Sequence, residues 1–229
     1  MKKFFLAIFT MLFISMLSYA QPIAGNIERF EGKVILYPFG SVKGKPAANN
    51  LNFNVKDSIR TFQKSIAFLK FIDDSKIVLE ENSILYVRDI TNLNVKKGKV
   101  VFEIQKQGNK EGVKIATKTA IIGVKGTKFL LSVNNDEINV VLKEGEISVK
   151  AVKGDFKRYV KKEEEDFDKF VKDTKESYED YKKKMQEEFV EFVKEFTMKD
   201  EMAVTIKGNE VKNIDVKDFE QEFELLNKF

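Results

Sequence analysis

The run from Thr117 to Val149 constrains the fold of this chain more than any other stretch. Phe129 to Val133 is a strand-like run, Asn134-Asn135-Asp136 interrupts it, and Ile138 to Leu142 is a second. Lys143-Glu144-Gly145-Glu146 then leads into Ile147-Ser148-Val149. A period of two punctuated by polar and glycine-marked breaks predicts strand, tight turn and strand in series. Gly126 and Gly145 stand where the chain has to reverse, and positive φ costs glycine little. A phosphate-cradling role for Gly123-x-x-Gly126-Thr127 is rejected, because a P-loop needs Gly-Lys-Ser/Thr opening a helix and strand-like residues continue here.

The chain ahead of this run has the same character. Strand-like segments cover Ile27 to Phe30, Val34 to Tyr37, Asn52 to Val55, Ile59 to Thr61, Ile66 to Phe71, Lys76 to Leu79, Ile84 to Val87, Val95 to Glu103 and Val113 to Thr117. Polar and Gly/Pro/Asn-containing loops lie between them, notably 41–50 and 105–112. The spacing of Phe68-Leu69, Asp74, Ile77, Leu79, Glu80, Ile84 and Val87 returns in Phe129-Leu130, Asp136, Ile138, Val140, Leu142, Glu144, Ile147 and Val149. Two strand-turn-strand-turn-strand units in series predict stacked β-layers rather than one meander.

In order along the chain stand Lys56-Asp57-Ser58-Ile59-Arg60-Thr61, the Phe68 to Val87 pattern, Lys97-Gly98-Lys99-Val100, Thr119-Ala120 with Gly123-Val124-Lys125-Gly126-Thr127-Lys128-Phe129, and Leu142-Lys143-Glu144-Gly145-Glu146-Ile147. This ordered set resembles the FecR domain, over roughly Ile27 to Val152. The chain departs from the usual pattern at Lys125, where the family commonly has Arg, and at Lys118, where it often has Pro. The resemblance implies a mainly β body, a stacked-strand roll, solenoid-like domain or sandwich.

Cysteine and histidine are both absent from the 229 residues. That removes disulfides, thiolate zinc sites, cysteine nucleophiles and the Ser-His and Cys-His pairings. Paired carboxylates are the remaining hydrolytic chemistry. The candidates Asp73/Asp74 and Glu144/Glu146 fall in turns, where acids are ordinary solvated turn formers. No catalytic, cofactor-binding or metal-binding residue is therefore expected.

Met1-Lys2-Lys3, an apolar run from Phe4 to Leu17 and the small residues Ser18 and Ala20 ahead of Gln21-Pro22 read as a secretory signal peptide over 1–20, cleaved after Ala20. A spanning helix needs about 20 apolar residues, so no stable span is expected after cleavage, and with no Cys following, no lipoprotein modification. The mature protein is expected in the periplasm or secreted. Residues 21–154 hold 22 Lys and Arg against 14 Asp and Glu, a balance of +8, whereas 155–229 hold 16 against 22, a balance of −6. A basic body can draw an anionic partner or its own tail. Its lysines show no aromatic interleaving along the strands, and no nucleic-acid partner is expected.

From Asp155 the period lengthens. Phe167, Val171, Tyr178, Tyr181, Met185, Phe189 and Phe192 recur every three or four residues, without Gly or Pro. Pairs such as Glu165–Lys169 and Asp180–Lys184 stand four apart with the acid first. These features predict a long amphipathic helix over 155–197, roughly 60 Å if continuous, or two antiparallel halves. Its stripe is the candidate partner contact, with three readings open: packing on its own β-domain, pairing with another helix in a dimer or an envelope partner, and lying on a membrane surface. Residues 198–216 then read as a closing β-hairpin of the same β-domain, turning at Gly208-Asn209, and 217–229 as a short helix carrying Phe219, Phe223 and Leu226. The helix is thus expected as an insertion before the hairpin.

Together these features imply an exported, non-enzymatic FecR-domain protein of the bacterial envelope that binds, scaffolds or senses, with a helical arm for assembly. The alternative is a membrane-anchored FecR-type signal transducer in a sigma-factor pathway. Transducers of that kind use a cytoplasmic segment ahead of their span, and only Met1-Lys2-Lys3 precede the apolar run here.

Overall fold

Wherever two hydrophobic faces are to be covered, the strands of this chain carry uninterrupted apolar triplets, and wherever one face meets water they alternate. The computed structural model describes residues 21–106, 112–160 and 189–229. These form β1 (Ile23–Glu31), β2 (Val34–Tyr37), β3 (Lys45–Pro46), β4 (Leu51–Asn54), β5 (Ser58–Thr61), β6 (Ile66–Phe71), β7 (Lys76–Leu79), β8 (Ile84–Asp89), β9 (Asn92–Ile104) and β10 (Val113–Ala116). There follow β11 (Ala120–Val124), β12 (Thr127–Asn134), β13 (Glu137–Glu144), β14 (Ile147–Ala151), β15 (Phe156–Val160), β16 (Phe189–Val193), β17 (Glu195–Met198), β18 (Met202–Lys207) and β19 (Glu210–Ile214). Three short helical turns, Val216–Phe219, Glu220–Phe223 and Glu224–Lys228, complete the chain.

The strands lie in two layers. In layer A the hydrogen-bonded order is β4–β1–β6–β7–β9–β12–β13–β18–β19–β15–β16. In layer B it is β3–β2–β5–β8–β9–β10–β11–β14–β17. Strand β9 belongs to both: Asn92 to Lys97 pairs with β8, and Gly98 to Ile104 pairs with β12. The change of layer falls at Gly98, with φ +92°, where a Cβ would run into Ser83. Strands that switch sheets need such a bend. Ser83 secures it, its Oγ accepting from the Lys99 amide and donating to the Lys99 carbonyl, both at 3.0 Å.

The internal repeat corresponds to one wrapping unit used twice. In β5–β8 the outer strands β5 and β8 pair in layer B and β6–β7 form a hairpin in layer A. Strands β11–β14 do the same, with β11 and β14 pairing in layer B and β12–β13 in layer A. The hairpin turns match: Asp74 in one and Asn135 in the other adopt positive φ, at 63° and 47°. Short polar side chains tolerate that region best after glycine.

The principal core lies between the layers, with Phe53, Phe102, Phe129 and Phe156 among its fully buried side chains. Phe102 and Phe129 stack with ring centroids 4.6 Å apart. A second core covers the other face of layer A. Phe68, Val78, Val101, Leu130, Val141 and Ala203 stand opposite one another from strand to strand in a single row. The C-terminal helical turns lie over this row through Val216, Phe219, Phe223 and Leu226. Phe229 meets Phe68 edge to face at 5.5 Å, and the Arg29 guanidinium, 3.8 Å from the Phe68 ring centre, donates from Nε to the Lys228 carbonyl.

The hairpin β18–β19 pairs through β18 with β13, so it extends layer A. The long amphipathic helix expected over 155–197 is corrected by the structure: residues 156–160, 189–193 and 195–198 are strands, and residues 161–188 lie outside the described residues. Strands β15 and β16 pair antiparallel from Phe156↔Val193 to Val160↔Phe189. The physical reason is tertiary. Phe156, Phe196 and Met198 are buried in the interlayer core, with Phe156 and Phe196 edge to face at 5.7 Å. Core burial of aromatic and β-branched segments overrides a local helical spacing.

Candidate functional site

Layer B alternates cleanly because only one of its faces is covered. Val34, Ile59, Leu85, Val87, Leu93, Val95, Ile115, Ile122 and Val149 point into the core. The intervening residues form an outer face on which no described element packs as the helical turns do on layer A. One row runs in register across this face as Tyr37, Ser58, Tyr86, Asn94, Ala116, Ile121, Lys150 and Glu195. Arg60, Arg88, Lys96 and Lys114 are exposed around it. The Lys96 ammonium lies 5.5 Å from the Tyr86 ring centre, close enough for a cation–π contact. The carboxylate of Glu195 stands at the far edge, on β17.

A neighbouring row, Lys114–Gly123–Ser148–Thr197, dips into a shallow groove of about 280 Å³. The missing side chain of Gly123 makes the dip, since a Cβ there would sit 2.8 Å from Ser148 Oγ. From the edge of β5 to β14 the cations span five strand spacings, about 24 Å. They are therefore an array over an extended surface rather than a cluster that converges on one small anion.

Sequence reasoning missed this face. Along a single strand the interleaving is confined to Tyr86 and Arg88 of β8, but strand register extends it laterally, placing Tyr86 beside Lys96 and between Ser58 and Asn94. The usable signal was parity: Arg60, Tyr86, Arg88, Lys96, Lys114 and Lys150 all fall at the polar positions of alternating strands.

Of the expected contact stripe, Phe167, Val171, Tyr178, Tyr181 and Met185 lie outside the described residues. Phe189 and Phe192 are placed on β16. Phe192 is 70% exposed and its neighbour Val190 42%. β16 ends layer A, paired with β15 alone among the described residues.

A third cluster is charged. Lys99 Nζ lies 2.5 Å from Glu222 Oε1 and 3.9 Å from Glu80 Oε2, tying the C-terminal helical turns to layer A. Burial pushes the Glu80 carboxyl up to about 6, Lys99 opposes that rise, and Glu222 and Glu81 add to it. Among the described residues Glu80 Oε1 is buried without a hydrogen-bond partner. At the end of the sandwich, Glu103 takes Lys76 and Lys128 at 3.8 and 3.7 Å, and Lys128 also takes Glu144 at 3.3 Å. Those charges neutralise one another locally. Among the described residues no group of three or more acidic side chains is arranged to hold a metal, and no helix is long and apolar enough to cross a membrane.

Residues 57–148 match the FecR protein family model. No curated protein matches the chain. Two crystal structures of a putative anti-sigma factor from Parabacteroides distasonis ATCC 8503 are similar at 13% and 11% identity, with TM-scores of 0.44 and 0.45. In each, the likeness covers 69% of this chain and 59% of that one, so the chain spans less than two thirds of their length.

Proposed function

Because residues 57–148 match the FecR protein family model, we propose that the protein is an exported regulatory module of the bacterial envelope that acts by binding a protein partner, without catalysis of its own. Export rests on the leader pattern of residues 1–20, and the regulatory role on the FecR resemblance. Partner contact rests on the β15–β16 ribbon. Phe192 is a large aromatic side chain left 70% exposed beside Val190 on a strand that pairs with β15 alone among the described residues. Exposed aromatic and aliphatic side chains at a strand edge are what an incoming chain covers when it adds to a sheet.

This reading takes up the candidate partner contact at Phe192, with a strand in place of a helix at that position. The experiment is photo-crosslinking in the native host from an amino acid analogue placed at Phe192, with the exposed loop position Val42 as control. A discrete adduct at Phe192 that Val190→Ser weakens and that Val42 does not give is expected. Identical adducts from both positions refute contact through the ribbon. The mass of the mature chain tests export separately: it should begin at Gln21, and a full-length chain held in the membrane fraction would instead support an anchored signal transducer.

A further inference from the structure

We propose that the outer face of layer B is a docking surface for an acidic, amphipathic segment of a partner protein, a site distinct from the β15–β16 ribbon. The two layers of the sandwich are treated unequally. Layer A has its outer row of Phe68, Val78, Val101 and Leu130 sealed by the C-terminal helical turns. Layer B has a comparable breadth of surface, faced by half-buried Tyr86 and Ile121 and by exposed Arg60, Arg88, Lys96 and Lys150.

Charge decides the sign of the occupant. The cations sit on the interior strands β5, β8, β9 and β14; of the acids on this side, Asp89 at the end of β8 is taken up by Thr91 and Asn92, and Glu195 lies on the edge strand β17. Like charges spread over an exposed face raise the local potential and steer an oppositely charged partner. Spacing decides its size, because an array about 24 Å wide suits an extended segment rather than a free phosphate or carboxylate. The chemistry between the cations decides its class. Tyr86, Ala116 and Ile121 run through the middle in register. A uniformly charged polymer leaves those apolar groups without a match, whereas a segment with acidic and apolar side chains in turn covers both.

The test uses the full mature chain and fluorescence anisotropy of three probes: a synthetic peptide with glutamates interspersed among Leu and Phe, poly-L-glutamate of equal charge, and dextran sulfate. The amphipathic peptide is expected to bind about tenfold more tightly than poly-L-glutamate and to weaken with added salt. Arg88→Glu with Lys150→Glu should weaken it at least about tenfold, while Lys207→Glu with Lys217→Glu, away from the face, should leave it unchanged. Matching melting temperatures establish that both variants fold. If the reversal pair does not fold, Arg88→Gln with Lys150→Gln takes its place, with a loss of about threefold expected. Equal binding of poly-L-glutamate or dextran sulfate would reassign the face to generic polyanions and overturn the proposal. So would absence of peptide binding, or an equal loss in the control pair.

Discussion

Replacing Glu80 with Gln should stabilise this protein at neutral pH and do nothing for it in mild acid. Glu80 is packed beside Lys99 and Glu222 where the C-terminal helical turns cross layer A, and burial raises its carboxyl from 4.5 to about 6. The folded pKa is above the unfolded one, so the folded state holds the proton more tightly. The contribution of this group to stability is therefore greatest below about pH 4.5, declines as pH rises towards 6, and is level above that. A rise of that size corresponds to about 2 kcal/mol at 1.36 kcal/mol per unit, and partial solvent access at the side chain reduces it to about 1 kcal/mol. Glutamine keeps the shape of the protonated acid and cannot ionise. Urea unfolding followed by circular dichroism at pH 4.5 and 7.5 reads the difference directly. The variant should exceed the parent by about 1 kcal/mol at pH 7.5 and equal it at pH 4.5. A variant less stable at pH 7.5 would show that the Lys99 ion pair outweighs the burial of Glu80, and one shifted equally at both pH values would show that folding leaves the proton affinity of Glu80 unchanged.

Two further outcomes follow from the packing. Leu226→Ala empties a site buried among Phe68, Val101 and Leu130 and should cost about 2–3 kcal/mol. Part of that loss should appear as new binding of a hydrophobic dye as the second core opens. Since Val160 and Phe189 stand directly opposite on β15 and β16, replacing residues 161–188 with Asn-Gly should close that hairpin with a two-residue turn. A single cooperative melt within a few degrees of the parent is expected by calorimetry, and loss of cooperativity would show that 161–188 is needed to hold the ribbon.

The strands of layer B were readable because water dictates their pattern: Leu85 and Val87 inside, Tyr86 and Arg88 outside, and so on along each one. Those of layer A were readable as strands. Their triplets, such as Ile77-Val78-Leu79 and Phe129-Leu130-Leu131, carried the further message that both faces are covered. The extension of layer A by 202–214 was legible from its alternation and its Gly208-Asn209 turn. The segment 155–197 was misread at both ends because two signals coincided there. Acid–base pairs four apart favour a helix locally, while the partners of Phe156 and Val160 in β16 stand some thirty residues on, beyond any local window. The basic face was missed for a related reason, parity giving the side of each residue but not which strands lie together. Arg60, Arg88, Lys96 and Lys150 are scattered along the chain, and only pairing across β5, β8, β9, β10, β11 and β14 gathers them.

The helical turns over layer A also set a hazard in biogenesis. Val216 to Phe229 are synthesised after every strand they shield, so a growing chain carries the greasy row from Phe68 to Ala203 bare until those turns are made. Such a surface invites aggregation or chaperone capture. A product broken off near Ile214 would keep all its strands and still be adhesive, and a quality-control protease that clips the turns would convert a well-behaved molecule into one marked for removal.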